Sequence, residues 1–117
     1  MNIVDCKITH KQKKVKIKNR YYNIDIKIIP LVRWLNSFQS VVTQFSCQGD
    51  KVQKRTTFLP YVSFFCEDSK DLNNIVRKIN SVDDVNLHCY LDEDSGRTVY
   101  NMYFNCYKGM NDLIGRF

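Results

Sequence analysis

The sequence predicts one α+β domain in which two helices pack on one face of a mostly antiparallel sheet. The 117-residue chain is 44% hydrophobic and 26% charged, which is typical of a globular domain with its own core. Two segments have apolar residues at helical spacing, and several others alternate apolar and polar residues as half-buried strands do. We therefore expect a basic N-terminal β-hairpin or arm over residues 1–20 and an α-β-β-α-β-β core over residues 25–107.

The two helices are predicted from apolar spacing and from residues that suit helix starts. The first is expected over 29–38, because Pro30 fits a first turn and the apolar residues follow three- and four-residue steps. The second is expected over 69–80, capped by Asp68 or Ser69. Its core positions have i, i+3, i+4, i+7 spacing and are Leu72, Ile75, Val76 and Ile79. The tail, 108–117, is expected to hold a short helical turn.

The strands are predicted from period-2 alternation and flanking turn residues. Two short strands are expected over 2–9 and 13–18, around the polar residues 10–12. Further strands are expected over 41–46, 61–66, 85–91 and 98–107. A hairpin turn over 92–96, with Gly96 where positive φ is needed, joins the last two strands. The segment 47–60 is expected to be the longest loop.

Alternation also assigns the strand residues to the two faces of the sheet. The face under the helices is expected to contain Val62, Phe64, Cys66, Val85, Leu87, Cys89, Leu91, Tyr100, Met102, Phe104 and Cys106. The opposite face is expected to contain Tyr61, Ser63, Phe65, Asn86, His88, Tyr90, Asn101, Tyr103 and Asn105. Flat rings beside hydrogen-bonding groups suit nucleobases, nucleotides and protein partners. Cross-strand aromatic pairs that only stabilise the sheet, and a subunit interface, are the alternatives.

The net charge of +6 lies at the N-terminus. Residues 1–20 contain seven basic side chains and one acidic side chain, and the rest of the chain is balanced. Such a cluster attracts phosphate groups without regard to base sequence. The candidate contacts are Lys13, Lys14, Lys16, Lys18 and Arg20. The alternative is a solvated lysine-rich edge that prevents sheet-to-sheet aggregation.

A Ser-Cys-Gln-Gly turn follows the third predicted strand. Gly49 permits a sharp turn whose backbone N–H groups are available to an anion, with Ser46 and Cys47 at the mouth of the strand. The alternative is a purely structural turn with Cys47 packed beneath it.

Catalysis has little support in the sequence. The histidines are His10 and His88, and the only nucleophile-base pair to consider is Cys47 with His88. There is no phosphate-binding loop, dinucleotide fingerprint or zinc-finger spacing, and the five cysteines are widely separated. We expect reduced thiols, no catalytic residues, no bound metal and no cofactor. No apolar run reaches the roughly 18 residues of a membrane span, and no signal segment is evident. The expected location is the cytoplasm of the producing or host cell.

Over about residues 25–66, the sequence Pro30-Leu31-Val32-Arg33-Trp34-Leu35-Asn36-Ser37 precedes a strand that ends in Ser46-Cys47-Gln48-Gly49. This arrangement resembles the tRNA wybutosine-synthesis methyltransferase-like family. In that family, a helix of the type P-L-V-x-x-L-N-S leads into a strand that ends in S-S-C-S-G. The matching positions are Leu31, Val32, Leu35, Asn36, Ser37, Ser46, Cys47 and Gly49. Gln48 and Asp50 depart from the pattern. The resemblance implies an α+β domain that acts on tRNA with a methyl-donor cofactor. The turn is also similar to that of small phage proteins with a Ser-Cys-(Gln/Glu)-Gly sequence.

These observations favour a small, non-enzymatic binding module that is homo-oligomeric. The predicted ligands are a nucleotide-like molecule or RNA, bound by the polar aromatic face and the basic segment. The predicted ligand-binding residues are Ser46, Cys47, Gly49, Tyr61, His88, Tyr90, Asn101 and Tyr103. The abundance of Lys, Ile, Asn and Tyr is typical of an AT-rich genome, and a phage origin with a host protein as partner is consistent with it. The alternatives are a protein-interaction module without a small ligand and a tRNA-modification enzyme.

Overall fold

The computed structural model describes the backbone of residues 11–52 and 55–117. Side chains are described for the same residues except 50–58. The strands are β1 (Gln12–Ile17), β2 (Arg20–Asp25), β3 (Val41–Cys47), β4 (Asp50–Val52), β5 (Arg55–Phe58), β6 (Tyr61–Cys66), β7 (Val85–Asp92) and β8 (Arg97–Phe104). The helices are α1 (Ile29–Asn36), α2 (Ser69–Ile79) and α3 (Tyr107–Ile114). The α+β class predicted from the sequence is confirmed.

Among the described residues, the main sheet contains four strands in the order β3-β6-β8-β7, and all neighbours are antiparallel. Strands β6 and β7 are therefore parallel to each other, with β8 between them and α2 connecting them. This is a split β-α-β unit. Two further pairs, β1 with β2 and β4 with β5, form separate two-stranded sheets.

The helices begin where the sequence predicted. Helix α1 has Pro30 in its first turn, where a missing backbone N–H removes no helical hydrogen bond. Asp68 caps α2, because its Oδ1 accepts a hydrogen bond from the backbone N–H of Lys70 at 2.8 Å. Helix α3 covers two turns of the segment that was predicted to hold a short helical turn.

One hydrophobic core lies between the helices and one face of the main sheet. Fully buried sheet residues on this face include Phe64, Met102 and Phe104. They pack in one cluster with apolar residues of all three helices and of the β1–β2 hairpin, which are Val15, Ile17, Ile24, Leu31, Val32, Leu35, Ile75, Ile79, Met110 and Leu113. Membership of this cluster confirms the predicted core face of β6 and β8, although Ser63, Phe65 and Val99 on the opposite face are also buried.

The end of β7 departs from the predicted core. Cys89 and Leu91 lie on the helix side of the sheet by alternation, but both are exposed, and Leu91 keeps 64% of its surface. The core cluster reaches Val85 and Leu87 and goes no further along this edge strand. The prediction that Cys89 and Leu91 are buried is wrong because alternation gives the side of the sheet and not the extent of the helix layer. Cys106, also assigned to the core strand, lies beyond β8 at the start of α3.

Strand β1 covers the second of the two strands predicted near the N-terminus, 13–18. The predicted strand over 2–9 lies outside the described residues. Strand β1 pairs with β2, and the turn is Lys18-Asn19, where both residues have positive φ (48° and 69°). Two central residues of this kind make the turn type that suits the twist of a hairpin. The segment 47–60, predicted to be a loop, contains the short strands β4 and β5.

Candidate functional site: the open face of the main sheet

We call the face of the main sheet opposite the core the open face. It carries three rows of side chains. Strand register defines the rows. The first row is Val42, Phe65, Val99 and Tyr90, the second is Phe45, Ser63, Asn101 and His88, and the third is Cys47, Tyr61, Tyr103 and Asn86. Neighbouring strands are about 4.8 Å apart, so each row spans about 14 Å from β3 to β7.

A bulge in β3 places Phe45 on the open face. The pairing with β6 shifts between Thr43 and Phe45, so that Gln44 is an extra residue. Val42 and Phe45 consequently face the same side. Thr43 faces the helices, where its Oγ1 accepts a hydrogen bond from Asn36 Nδ2 at 2.9 Å. Phe45 keeps 66% of its surface exposed and is the most exposed apolar side chain on this face.

The centre of the open face contains a histidine-tyrosine pair. Tyr103 Oη lies 3.2 Å from His88 Nε2, and the two rings meet edge to face with centroids 5.1 Å apart. Asn101 lies beside His88 in the ladder and faces Ser63 on its other side. The central row thus places hydroxyl, amide and imidazole groups between the rings of the two flanking rows.

Arg97 covers one end of the open face. Its guanidinium carbon lies 3.8 Å from the centroid of the Phe65 ring, and its Nη2 lies 3.1 Å from Glu67 Oε1. Phe65 is consequently buried, with 7% of its surface exposed. The ring of Phe65 is therefore occupied by this arginine and unavailable for stacking, while the guanidinium is a positive charge beside the first row.

Tyr61 lies at the opposite end of the open face. Burial raises the pKa of its phenol, and the nearby Cys47 and Asp25 raise it further by disfavouring a second negative charge. Tyr61 therefore stays neutral at physiological pH and is a hydrogen-bond donor. Because 37% of its surface is exposed, the ring is accessible to a ligand.

The Ser-Cys-Gln-Gly turn is bound to the segment that precedes α1. The backbone N–H of Gln48 donates to Asp25 Oδ2 at 3.0 Å, and Gln48 Oε1 accepts from the backbone N–H of Lys27 at 3.0 Å. The N–H of Gly49, which has φ of 78°, donates to Cys47 Sγ at 3.4 Å. Both N–H groups already have acceptors, so the anion site expected from this turn is not formed by them.

The structure brings together most of the predicted ligand-binding residues. Tyr61, His88, Tyr90, Asn101 and Tyr103 share the open face, and Cys47 lies beside Tyr61 at its edge. Ser46 pairs with Val62 and faces the other side, and Gly49 is buried in the turn.

Cys47 and His88 do not form a nucleophile pair. They lie in different rows and on the two edge strands, about 14 Å apart across the sheet. Proton transfer between them would require contact at hydrogen-bond distance.

The predicted phosphate-contacting residues have different environments on the β1–β2 hairpin. Lys14 Nζ and Lys16 Nζ lie 5.3 and 6.0 Å from the ring centroid of exposed Tyr21. Lys18 Nζ instead donates to the carbonyl oxygens of Phe38 and Gln39, both at 3.2 Å, and to that of Val41. Lys13 and Arg20 are exposed. Lys18 therefore stabilises the turn between α1 and β3, although this residue, like the other four predicted cations, is exposed.

The hairpin borders the open face at Phe45. A cleft of about 210 Å³ separates the hairpin from β3, and its lining includes Tyr22, Asn23 and Phe45. The sequence reasoning did not include Val42, Phe45 or Arg97 in the site. Arg97 could have been found from its position after the 92–96 turn, whereas the β3 bulge that exposes Phe45 has no glycine or proline to signal it.

Comparison with protein families, curated proteins and solved structures found no match for this chain. The resemblance to the wybutosine-synthesis family therefore stays a prediction. No helix in the described part of the chain is long and apolar enough to cross a membrane. Within residues 11–52 and 55–117, no three or more His, Cys, Asp or Glu side chains are grouped to hold a metal ion.

Proposed function

We propose that the open face binds single-stranded RNA, or a nucleotide-like ligand, by stacking bases on its exposed rings. The observation that carries this proposal is that Phe45, Tyr61 and Tyr90 come from three different strands and are 66%, 37% and 57% exposed on one face. A four-stranded antiparallel sheet with exposed rings and helices behind it is one of the common ways in which proteins stack RNA bases.

The chemistry between the rings suits the edges of bases. Asn101 and His88 supply amide and imidazole groups in the central row, whereas Ser63 between Phe45 and Asn101 is buried. Stacking tolerates any base, and hydrogen bonds to these groups would set a preference among bases. The lysine-rich hairpin beside Phe45 would attract the phosphate backbone, and this attraction acts over a screening length of about 8–10 Å.

Binding of a labelled single-stranded RNA, measured by fluorescence anisotropy, tests the proposal. Phe45→Ala and Tyr90→Ala should each weaken binding about 5- to 140-fold, because one stacked base contributes about 1–3 kcal/mol. Phe117→Ala is the matched control, since Phe117 is an exposed ring that stacks on Trp34 away from the open face. Failure of the parent protein to bind at low salt, or an equal loss in the control, would refute the proposal.

A protein partner is the second candidate for the open face. In the first row the exposed side chains are Val42 and Tyr90, at 46% and 57%, and Val42 has no π surface. Apolar groups that offer nothing to a base suit a host protein or a second copy of the chain. In that case Val42→Lys should lower the mass of the complex measured by light scattering, while RNA binding is absent from the parent protein.

A further inference from the structure

Within residues 11–52 and 55–117, no strand pairs with the outer edge of β7. β7 has eight residues in unbroken register with β8 and is the last strand of the main sheet. Its sequence, VNLHCYLD, contains no lysine, glycine or proline, and its pairing has no bulge. Lysines, prolines and bulges in edge strands are the features by which natural proteins prevent edge-to-edge pairing. The other edge strand, β3, has the bulge at Gln44 and the β1–β2 hairpin beside it.

Hydrogen bonding fixes which backbone groups face outward. The N–H of Asn105 donates to the carbonyl of Asp84 at 3.0 Å, and these two residues are opposite each other in the β7–β8 register extended by one step. Hydrogen-bonded and non-hydrogen-bonded pairs alternate in an antiparallel ladder, so the even-numbered residues of β7 bond to β8. The N–H and C=O groups that point to the outer edge are those of Val85, Leu87, Cys89 and Leu91.

We propose that β7 pairs with β7 of a second copy of this chain, antiparallel, around a twofold axis at Cys89. An axis perpendicular to the sheet keeps the two helix layers on one side and joins the sheets into eight strands. The backbone of Cys89 then forms hydrogen bonds with the backbone of Cys89 of the partner subunit. The backbone of Leu87 likewise pairs with that of Leu91 of the partner subunit, and the backbone of Leu91 with that of Leu87 of the partner subunit. These three pairs use outward-facing groups, and each exchanges two hydrogen bonds.

Side-chain chemistry selects this register. Centring the axis on Cys89 places Leu91, 64% exposed, against Leu87 of the partner subunit, and His88 beside Tyr90 of the partner subunit. The alternative register, centred on His88, places Asp84 opposite Asp92 of the partner subunit at both ends, within the paired strand, where like charges repel. The register centred on Cys89 places Asp84 opposite Asp94 of the partner subunit, which lies beyond the end of β7. Because Cys89 and Leu91 lie beyond the helix layer, space is available above both strands.

The pairing would also enlarge the open face. His88 of one subunit and Tyr90 of the partner subunit would be cross-strand neighbours, so the aromatic rows of the two sheets would become continuous. The dimer does not rest on the proposed RNA binding, and its test contains no nucleic acid.

The mass of the full chain in solution, measured by light scattering over a wide range of concentration, tests the dimer. Leu91→Lys places a charge against the apolar neighbour and should give the mass of one chain. Cys89→Pro removes an outward N–H without breaking a bond to β8, and should have the same effect. Thr98→Lys is the matched control, because Thr98 is the exposed β8 neighbour of Leu91 on the same side of the sheet but away from the edge. It should stay dimeric.

Three results would overturn the proposal. The first is a parent protein with the mass of one chain at every concentration. The second is a dimer that survives both Leu91→Lys and Cys89→Pro while circular dichroism shows that both variants are folded. The third is a Thr98→Lys dimer that dissociates to the same extent as the Leu91→Lys dimer. The dissociation would then result from the added charge and not from its position at the β7 edge.

Discussion

Replacing Gly109 by alanine should destabilise the protein through a backbone clash. Gly109 lies in the first turn of α3, and a Cβ at this position would lie 2.9 Å from the carbonyl oxygen of Asp84 and 3.1 Å from its Cβ. Asp84 has φ of 63°, and its carbonyl accepts the hydrogen bond from Asn105 that begins the β7–β8 ladder. The neighbour is thus backbone held by a hydrogen bond, and it cannot move aside as a flexible side chain can.

The size of the effect follows from two opposing contributions. Overpacking of this kind costs about 1–3 kcal/mol, whereas alanine is favoured over glycine within a helix by about 1 kcal/mol. Gly115→Ala serves as the control, because its nearest atoms would lie at 3.4 and 3.6 Å and its backbone is already right-handed helical. The variant at Gly109 should be about 1–3 kcal/mol less stable than the variant at Gly115.

Urea denaturation followed by circular dichroism measures this difference as a shift of the midpoint at constant slope. Equal stability of the two variants, or greater stability of Gly109→Ala, would refute the account of how α3 packs on the start of β7.

Two further predictions concern the candidate site. The raised pKa of Tyr61 means that the folded protein holds this proton to higher pH than the unfolded chain, so its contribution to stability is full below pH 10 and falls as the pH rises beyond it. The unfolding free energy of the parent should therefore fall relative to that of Tyr61→Phe above pH 10 in denaturant titrations, and a constant difference would contradict the pKa shift. Changing Lys14 and Lys16 to Gln should weaken RNA binding and reduce the slope of log K against log salt by about 1.4, because about 0.7 is expected per neutralised phosphate of a single strand. Lys18→Gln should instead lower the melting temperature, since Lys18 binds backbone carbonyl groups, and a larger effect on RNA binding than that of the Lys14 and Lys16 changes would contradict this assignment.

The parts of the fold that the sequence predicted are those where burial constrains every second or every third to fourth residue. Helix α2 is an example, because it has one apolar side that must reach the core. The central part of the open face could be predicted for the same reason. Once Phe64, Met102 and Phe104 are buried, Ser63, Asn101 and Tyr103 must face the other side.

The parts that could not be predicted depend on backbone geometry that leaves little trace in the sequence. The Lys18-Asn19 turn has positive φ without glycine, so β2 was not recognised as a strand. The extra residue Gln44 reverses the phase of β3 after Thr43, and alternation counted through it would place Phe45 on the wrong side. Exposure of Leu91 depends on how far the helix layer extends, which is a tertiary property.

Cross-strand packing accounts for the centre of the open face but not for its edges. Tyr103 has aromatic neighbours in Tyr61 and His88, and such pairs stabilise a sheet without a ligand. Phe45, in contrast, has Ser63 as its cross-strand neighbour and is 66% exposed, so the fold gains little from its ring. Phe45→Ala should therefore change the unfolding free energy by no more than about 0.5 kcal/mol in urea titrations. If the same variant weakens RNA binding, the ring serves binding rather than folding. A loss of stability near that of a buried aromatic, about 3 kcal/mol or more, would instead make Phe45 a structural residue and remove the strongest support for a ligand on this face.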